Sequence, residues 1–171
     1  CPPNVQNNSD PYFSTVSVNN IYNFIKSASG SCSVNTDSGN NEPIIEVSKL
    51  SHNIPHSTAF ILEATATDLD GDALTYNWEQ TDTQIATQPP VSTNTGGPTF
   101  RSLNPTTEGY RYFPNLQSIV AGKLTLDTNP APMNWEVIPS VARTLKFSIL
   151  ARDNNPKGGQ TDRKNLTLVV K

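Results

Sequence analysis

Charge of either sign is scarce in this sequence. Twelve basic and fifteen acidic residues make up 16% of 171 positions, for a net charge of −3 and a pI near 5.3. Such a chain lacks the basic footprint with which proteins grip nucleic acid. It also lacks the polybasic patch that seats a chain on an anionic membrane surface. Long hydrophobic runs are missing too. The longest is Ala59-Phe60-Ile61-Leu62, far short of the roughly 20 residues that span a bilayer. Cysteine is limited to Cys1 and Cys32. The chain opens Cys1-Pro2-Pro3, without the basic start and apolar stretch of a signal peptide. It therefore reads as an excised piece of something longer.

What fills the chain is polar and uncharged. Asn (19), Thr (19) and Ser (16) sum to 54 residues, nearly a third of the whole. Fourteen prolines, nine glycines and β-branched residues throughout speak against a helical bundle. A mostly β, extracellular-type domain is expected. In that setting the cysteines are read as a Cys1–Cys32 disulfide, the alternative being two free thiols in a cytosolic protein. Closing that loop of roughly 30 residues contributes about 3–4 kcal/mol in the chain-entropy model.

Residues 1–34 differ in kind from the rest. Ser17 is placed to cap a helix through Val18, Ile21, Tyr22, Phe24 and Ile25, an amphipathic stripe read as core-facing. Gly30 ends it. Residues 35–42 are a linker by composition. One helix cannot bury a core alone, so this segment must lean on something else.

From Pro43 the period changes to two. Strands are expected at Ile44–Val47, Ala59–Ala66, Leu74–Glu79, Leu145–Arg152 and Leu166–Val170. Leu74, Tyr76 and Trp78 alternate strictly and share one face. Between Thr81 and Arg143 lies a Pro/Thr/Gly-rich stretch with short strands expected at Tyr110–Phe113 and Ser118–Val120. At that length it is read as an ordered insertion packed over one edge of the sheets. Short strands separated by turn signals give a β-sandwich over 43–171, with a long insertion and a short helical segment before it.

Asp68-Leu69-Asp70-Gly71-Asp72 is the most informative run. Carboxylates at alternate positions repel one another unless a hard cation neutralises them, and oxygen ligands at this density suit Ca²⁺. Asp68, Asp70, Asp72 and Glu79 match positions 1, 3, 5 and 12 of an EF-hand loop, but Ala73 stands where position 6 needs Gly. A calcium-binding turn at the end of a sheet fits better; a solvated acidic turn is the plain alternative. Asp153-Asn154-Asn155-Pro156 forms a second turn after a strand, and Asp153 completes the site if the two strand ends are neighbours.

Other chemistry is excluded. His52 and His56 have zinc-helix spacing, but Pro55 breaks any such helix and no Glu follows His52. They are read as surface-loop residues. No Ser lies in Gly-x-Ser-x-Gly, and there is no phosphate-binding glycine loop. Asn7-Asn8-Ser9 and Asn165-Leu166-Thr167 match the glycosylation pattern, as chance allows in an Asn-rich chain.

Two resemblances follow from these residues. Cys1-Pro2-Pro3-Asn4-Val5-Gln6-Asn7-Asn8-Ser9-Asp10-Pro11-Tyr12-Phe13, the helix, and Gly30-Ser31-Cys32 together resemble the end of the catalytic domain in secreted, Bacteroidetes-type reprolysin-like zinc metallopeptidases. Asn41-Glu42-Pro43, the Asp68–Asp72 run leading into Leu74-Thr75-Tyr76-Asn77-Trp78-Glu79, and Arg152-Asp153-Asn154 resemble the PKD-like or cadherin-like modules that follow such domains. The family's HExxHxxGxxH zinc motif and Met-turn are absent; they are expected upstream of Cys1, and zinc with them. No catalytic residue carries over to this chain. The resemblance implies structural calcium held by Asn41, Asp68, Asp70 and Asp153, with Asp72 beside them. It implies an upstream catalytic domain as partner, an extracellular protein or polysaccharide as substrate, and a secreted location. The function implied is that of a non-catalytic accessory domain. The rival is a free-standing adhesion or carbohydrate-binding module, with Tyr110, Tyr112, Phe113 and Trp135 as a ligand platform. Against that, the same aromatics serve to pin the insertion to the sheets.

Overall fold

The computed structural model of the chain describes residues 8–27, 30, 32, 34, 36–126 and 135–171. In chain order the elements are α1 (Thr15–Lys26), β1 (Ile44–Glu46), β2 (Ser51–Ile54), β3 (Phe60–Glu63), β4 (Thr65–Thr67) and β5 (Thr75–Gln80). They continue with β6 (Tyr110–Phe113), α2 (Leu116–Val120), β7 (Thr125–Leu126), β8 (Glu136–Val137), β9 (Arg143–Arg152) and β10 (Thr161–Val170). The protein is mostly β. One four-stranded sheet runs β2-β10-β9-β5, with β2 parallel to β10 and the other neighbours antiparallel. Three antiparallel ribbons pair β1 with β4, β3 with β6, and β7 with β8.

Alternation along the long strands makes the core. Leu145, Phe147, Ile149 and Ala151 of β9, with Leu166, Leu168 and Val170 of β10, meet Ile45, Leu62 and Phe113 from the ribbons and Ala64 between β3 and β4. Phe60, Phe100, Phe113 and Phe147 cluster at the centre, mostly edge to face, with ring centroids 4.9–6.1 Å apart. Such pairs contribute about 0.5–1.5 kcal/mol each beyond the area they bury. Trp78 is buried beside them and donates its indole Nε1–H to Gly109 O at 3.0 Å.

The stretch 81–143 does more than cover an edge, because Phe100 and Phe113 carry it into the core. Arg111 holds it there, donating to Trp78 O (2.7 Å), Arg101 O (2.8 Å) and Glu136 Oε1 (3.0 Å). Its guanidinium also lies 4.5 Å from the Phe113 ring. Arg143 does the same for the loop before it, donating to Asn94 O and Gly97 O.

Several elements differ from the sequence reading, each for a local reason. The expected Ala59–Ala66 strand breaks at Ala64, whose N–H donates to Gly109 O, so β3 pairs with β6 and β4 with β1. Ser118–Val120 is part of helix α2, because Asn115 caps it by accepting from Ser118 N. The His52 segment is strand β2, not a loop, held by its parallel partner β10. β10 begins at Thr161, well before Leu166, because β9 offers it ten partners. Asn40 and Asn41, within the expected linker 35–42, are hydrogen-bonded into the fold.

The helix differs most. α1 starts three residues earlier than expected, with Ser14 as its cap accepting from Ser17 N. Thr15 is its one buried residue. Ile21, Tyr22, Phe24 and Ile25 are 44–59% exposed, so the stripe read as core-facing is not covered among the described residues. A groove of about 770 Å³ separates Val18, Ile21, Tyr22 and Ile25 from Pro105 and Arg152. Cys32 is exposed, with no disulfide partner among the described residues. Cys1, its expected disulfide partner, lies outside the described residues, as does Asn7 of the first glycosylation pattern.

Candidate metal centre

The acidic run forms the turn between β4 and β5. Asp68 folds it: its Oδ1 accepts from Asp70 N (2.9 Å) and Asp72 N (3.1 Å), and its backbone O accepts from Gly71 N. Gly71 takes φ +75°, which a residue with a Cβ adopts at a cost. This turn brings one carboxylate oxygen each from Asp68, Asp70 and Asp72 within 4.8 Å of one another. At that separation each like-charge pair repels by about 1 kcal/mol in bulk water and about 3–4 kcal/mol in a surface-like dielectric. Asp68 Oδ2 is buried and has no hydrogen-bond partner. A clustered, under-satisfied set of carboxylate oxygens is the donor chemistry a hard divalent cation prefers, with water filling the remaining positions.

The two other expected ligands meet this trio differently. Asn41 reaches Asp70 directly: its backbone N–H donates to Asp70 Oδ2 at 2.7 Å, and its Nδ2 lies 3.1 Å from both Asp70 oxygens. It contacts the cluster as a donor. Asp153, 1% exposed, is not drawn into the trio. Its carboxylate accepts from Asn40 Nδ2 (2.6 Å), Asn155 N (3.1 Å) and Gln160 N (2.9 and 3.0 Å). Asn155 joins the two groups, donating from Nδ2 to Asp72 Oδ2 (2.8 Å) and Asn40 Oδ1 (3.0 Å). The lead-in segment, the β4–β5 turn and the end of β9 therefore meet in one polar network. Asn40 and Gln160 carry no local signal in the sequence, and Asn155 carries only that of the Asn154-Asn155-Pro156 turn.

The expected aromatic platform separates into parts. Phe113 is fully buried in the core. Tyr110 and Tyr112 lie on the outward side of β6 with their rings inclined at 80°, and Trp135 is half-buried at φ +41°.

A second polar cluster has no local signature in the sequence, because it joins residues 23 and 64 positions apart. Glu79 is buried on the outward side of β5, where its carboxylate accepts from Thr15 N and from Ser102 Oγ, which in turn contacts Tyr12 Oη. Burial, with the negative charges of Glu79 and Asp10 nearby, raises the Tyr12 phenol above its ordinary pKa, against a lowering by its bond to Ser102. Burial lowers the Arg152 guanidinium, opposed by Glu79 and Tyr12. Arg111 is lowered the same way, opposed first by Glu136.

No protein-family model matches the chain, and no curated protein sequence matches it.

Proposed function

We propose that this chain is a non-catalytic, calcium-stabilised accessory domain of a secreted zinc metallopeptidase, built as a PKD-like sandwich. The observation that supports this most is the Asp68–Asp70–Asp72 cluster, tied by Asn41 and Asn155 to the lead-in segment and the end of β9. A cation there neutralises three carboxylates of the β4–β5 turn, which hydrogen bonds from Asn41 and Asn155 tie to the rest of that end of the fold, so its work is to stiffen and space the domain. Asp68, Asp70 and Asp72 would hold it. Asn41 and the Asp153 network would orient them.

The test is thermal unfolding in calcium and in chelator. An ion that binds only the folded state stabilises it by about 2.7 kcal/mol at a hundredfold excess over Kd. For a chain of this size that is a rise of roughly 5–11 °C in Tm. Asp70→Ala should remove the difference; identical Tm values for the wild type in both buffers would refute the calcium site. The same reading joins Cys1 to Cys32. Mass spectrometry of unreduced protein should then show about two daltons missing, the two thiol hydrogens lost on forming the bond; two alkylatable thiols would refute the pairing.

A further inference from the structure

We propose that the groove between α1 and the end of β9 binds a small amphipathic carboxylate, its tail along the apolar stripe of α1 and its headgroup on Arg152. Val18, Ile21, Tyr22 and Ile25 line one side and Pro105 part of the other, around about 770 Å³. Ligand sites of roughly 300–1,000 Å³ are built this way, apolar over most of their surface with a few polar groups that fix orientation. Among the lining residues one side chain is charged, Arg152, and none is acidic. The groove takes no residue from the Asp68–Asp70–Asp72 cluster.

Arg152 is under-partnered for a half-buried cation. Its Nη2 donates to Phe13 O, but its Nη1 is buried without a hydrogen-bond partner among the described residues. It enters none of the ion pairs found among those residues. Glu79 acts on it only from beyond ion-pair reach, with its own oxygens accepting from Thr15 N and Ser102 Oγ. A guanidinium so placed gains most from a carboxylate, which accepts two parallel N–H bonds at once. A neutral oil leaves that donor unpaired, and a cation adds repulsion. Nη1 is closed to water, so the headgroup reaches it only as the groove opens. α1 permits this, since Thr15 in its first turn is its one buried residue.

Size decides between a flexible tail and a partner helix. A helix is about 10–12 Å across with its side chains and rises about 5.4 Å per turn. Two turns of one therefore fill roughly 850–1,200 Å³, more than the groove holds. An alkyl chain fits, and the exposed Ile21, Tyr22 and Ile25 gain burial from it.

Decanoate below its micelle concentration, titrated into the full chain in chelator and followed by amide NMR shifts, tests this. The shifts should saturate and gather on α1 and on Thr75, Arg152 and Thr161. Affinity should rise by up to about fourfold per methylene from octanoate to decanoate, the ~0.8 kcal/mol of a buried CH₂. Decyltrimethylammonium, with the same tail and the opposite charge, should bind at least tenfold more weakly; this pair reads the charge preference without any variant. Arg152→Gln should weaken decanoate at least tenfold, and Arg152→Lys less. Ile21→Asn, at an exposed position of α1, should also weaken it, with unchanged β10 shifts showing that each variant is folded. Asp70→Ala should bind decanoate as the wild type does, so that this outcome and the calcium test stand or fall separately. Vesicles of phosphatidylcholine and phosphatidylglycerol should not carry the chain in flotation. Unsaturable shifts, equal binding of the cationic amphiphile, wild-type affinity in Arg152→Gln, or flotation with vesicles would each overturn the site, the last making α1 a membrane-surface helix instead.

Discussion

Gly109 carries more of the fold than its size implies. A Cβ built there lies 2.1 Å from Ala64 O, inside any tolerable contact. Its own carbonyl meanwhile accepts both Ala64 N and the Trp78 indole. Gly109→Ala should force the β3–β4 junction away and cost about 1–3 kcal/mol, as overpacking of well-packed sites does; urea unfolding reads this directly. Arg111 and Glu136 are the other sensitive pair, at 3.0 Å with both side chains at 10% exposure or less. Truncating Glu136 strands a buried cation and also deprives Asn115 N and Nδ2 of their acceptor. Glu136→Ala should cost about 3–5 kcal/mol, while Arg111→Met with Glu136→Leu should recover much of that. A double-mutant cycle on unfolding midpoints checks it.

Element by element, the sequence predicts the fold best where a strand buries one face. β9 and β5 announce themselves because alternate residues enter the core, and Tyr110–Phe113 is found at the expected place. β2 carries no such pattern; Ser51–Ile54 is a strand because β10 lies beside it. Ser118–Val120 reads as a strand because its apolar residues are too few to set a period, and the Asn115 cap makes it helix. In α1 the stripe is present but its first turn is fixed by Glu79, 64 residues away, which leaves the stripe exposed. The same division holds for the site. Asp68, Asp70 and Asp72 are legible because their spacing is local. Asn40 with Asn155 and Gln160 are not, since those bonds join residues 115 and 120 positions apart.

Across the whole molecule, the end of the fold near the acidic turn is held by two carboxylate systems with separate roles. Asp70 belongs to the cluster that a cation would neutralise. Asp153 is saturated by donors from Asn40, Asn155 and Gln160, so it clamps the lead-in segment to the β9–β10 turn without any ion. Hydrogen bonds to a charged group contribute about 1.5–3 kcal/mol each, and a buried set loses its acceptor all at once on truncation. Asp153→Ala should therefore lower stability by about 3 kcal/mol or more in calcium and in chelator alike, leaving the calcium increment in place. Asp70→Ala should do the reverse, abolishing the increment at little cost in chelator, where it also relieves repulsion. The double variant should be close to additive if the systems are independent, and Asn155, which touches both Asp72 and Asn40, is where coupling would enter. Melting curves of the two single variants and the double, each with and without calcium, decide it. An Asp153→Ala variant that loses the calcium increment would make Asp153 a ligand rather than a clamp.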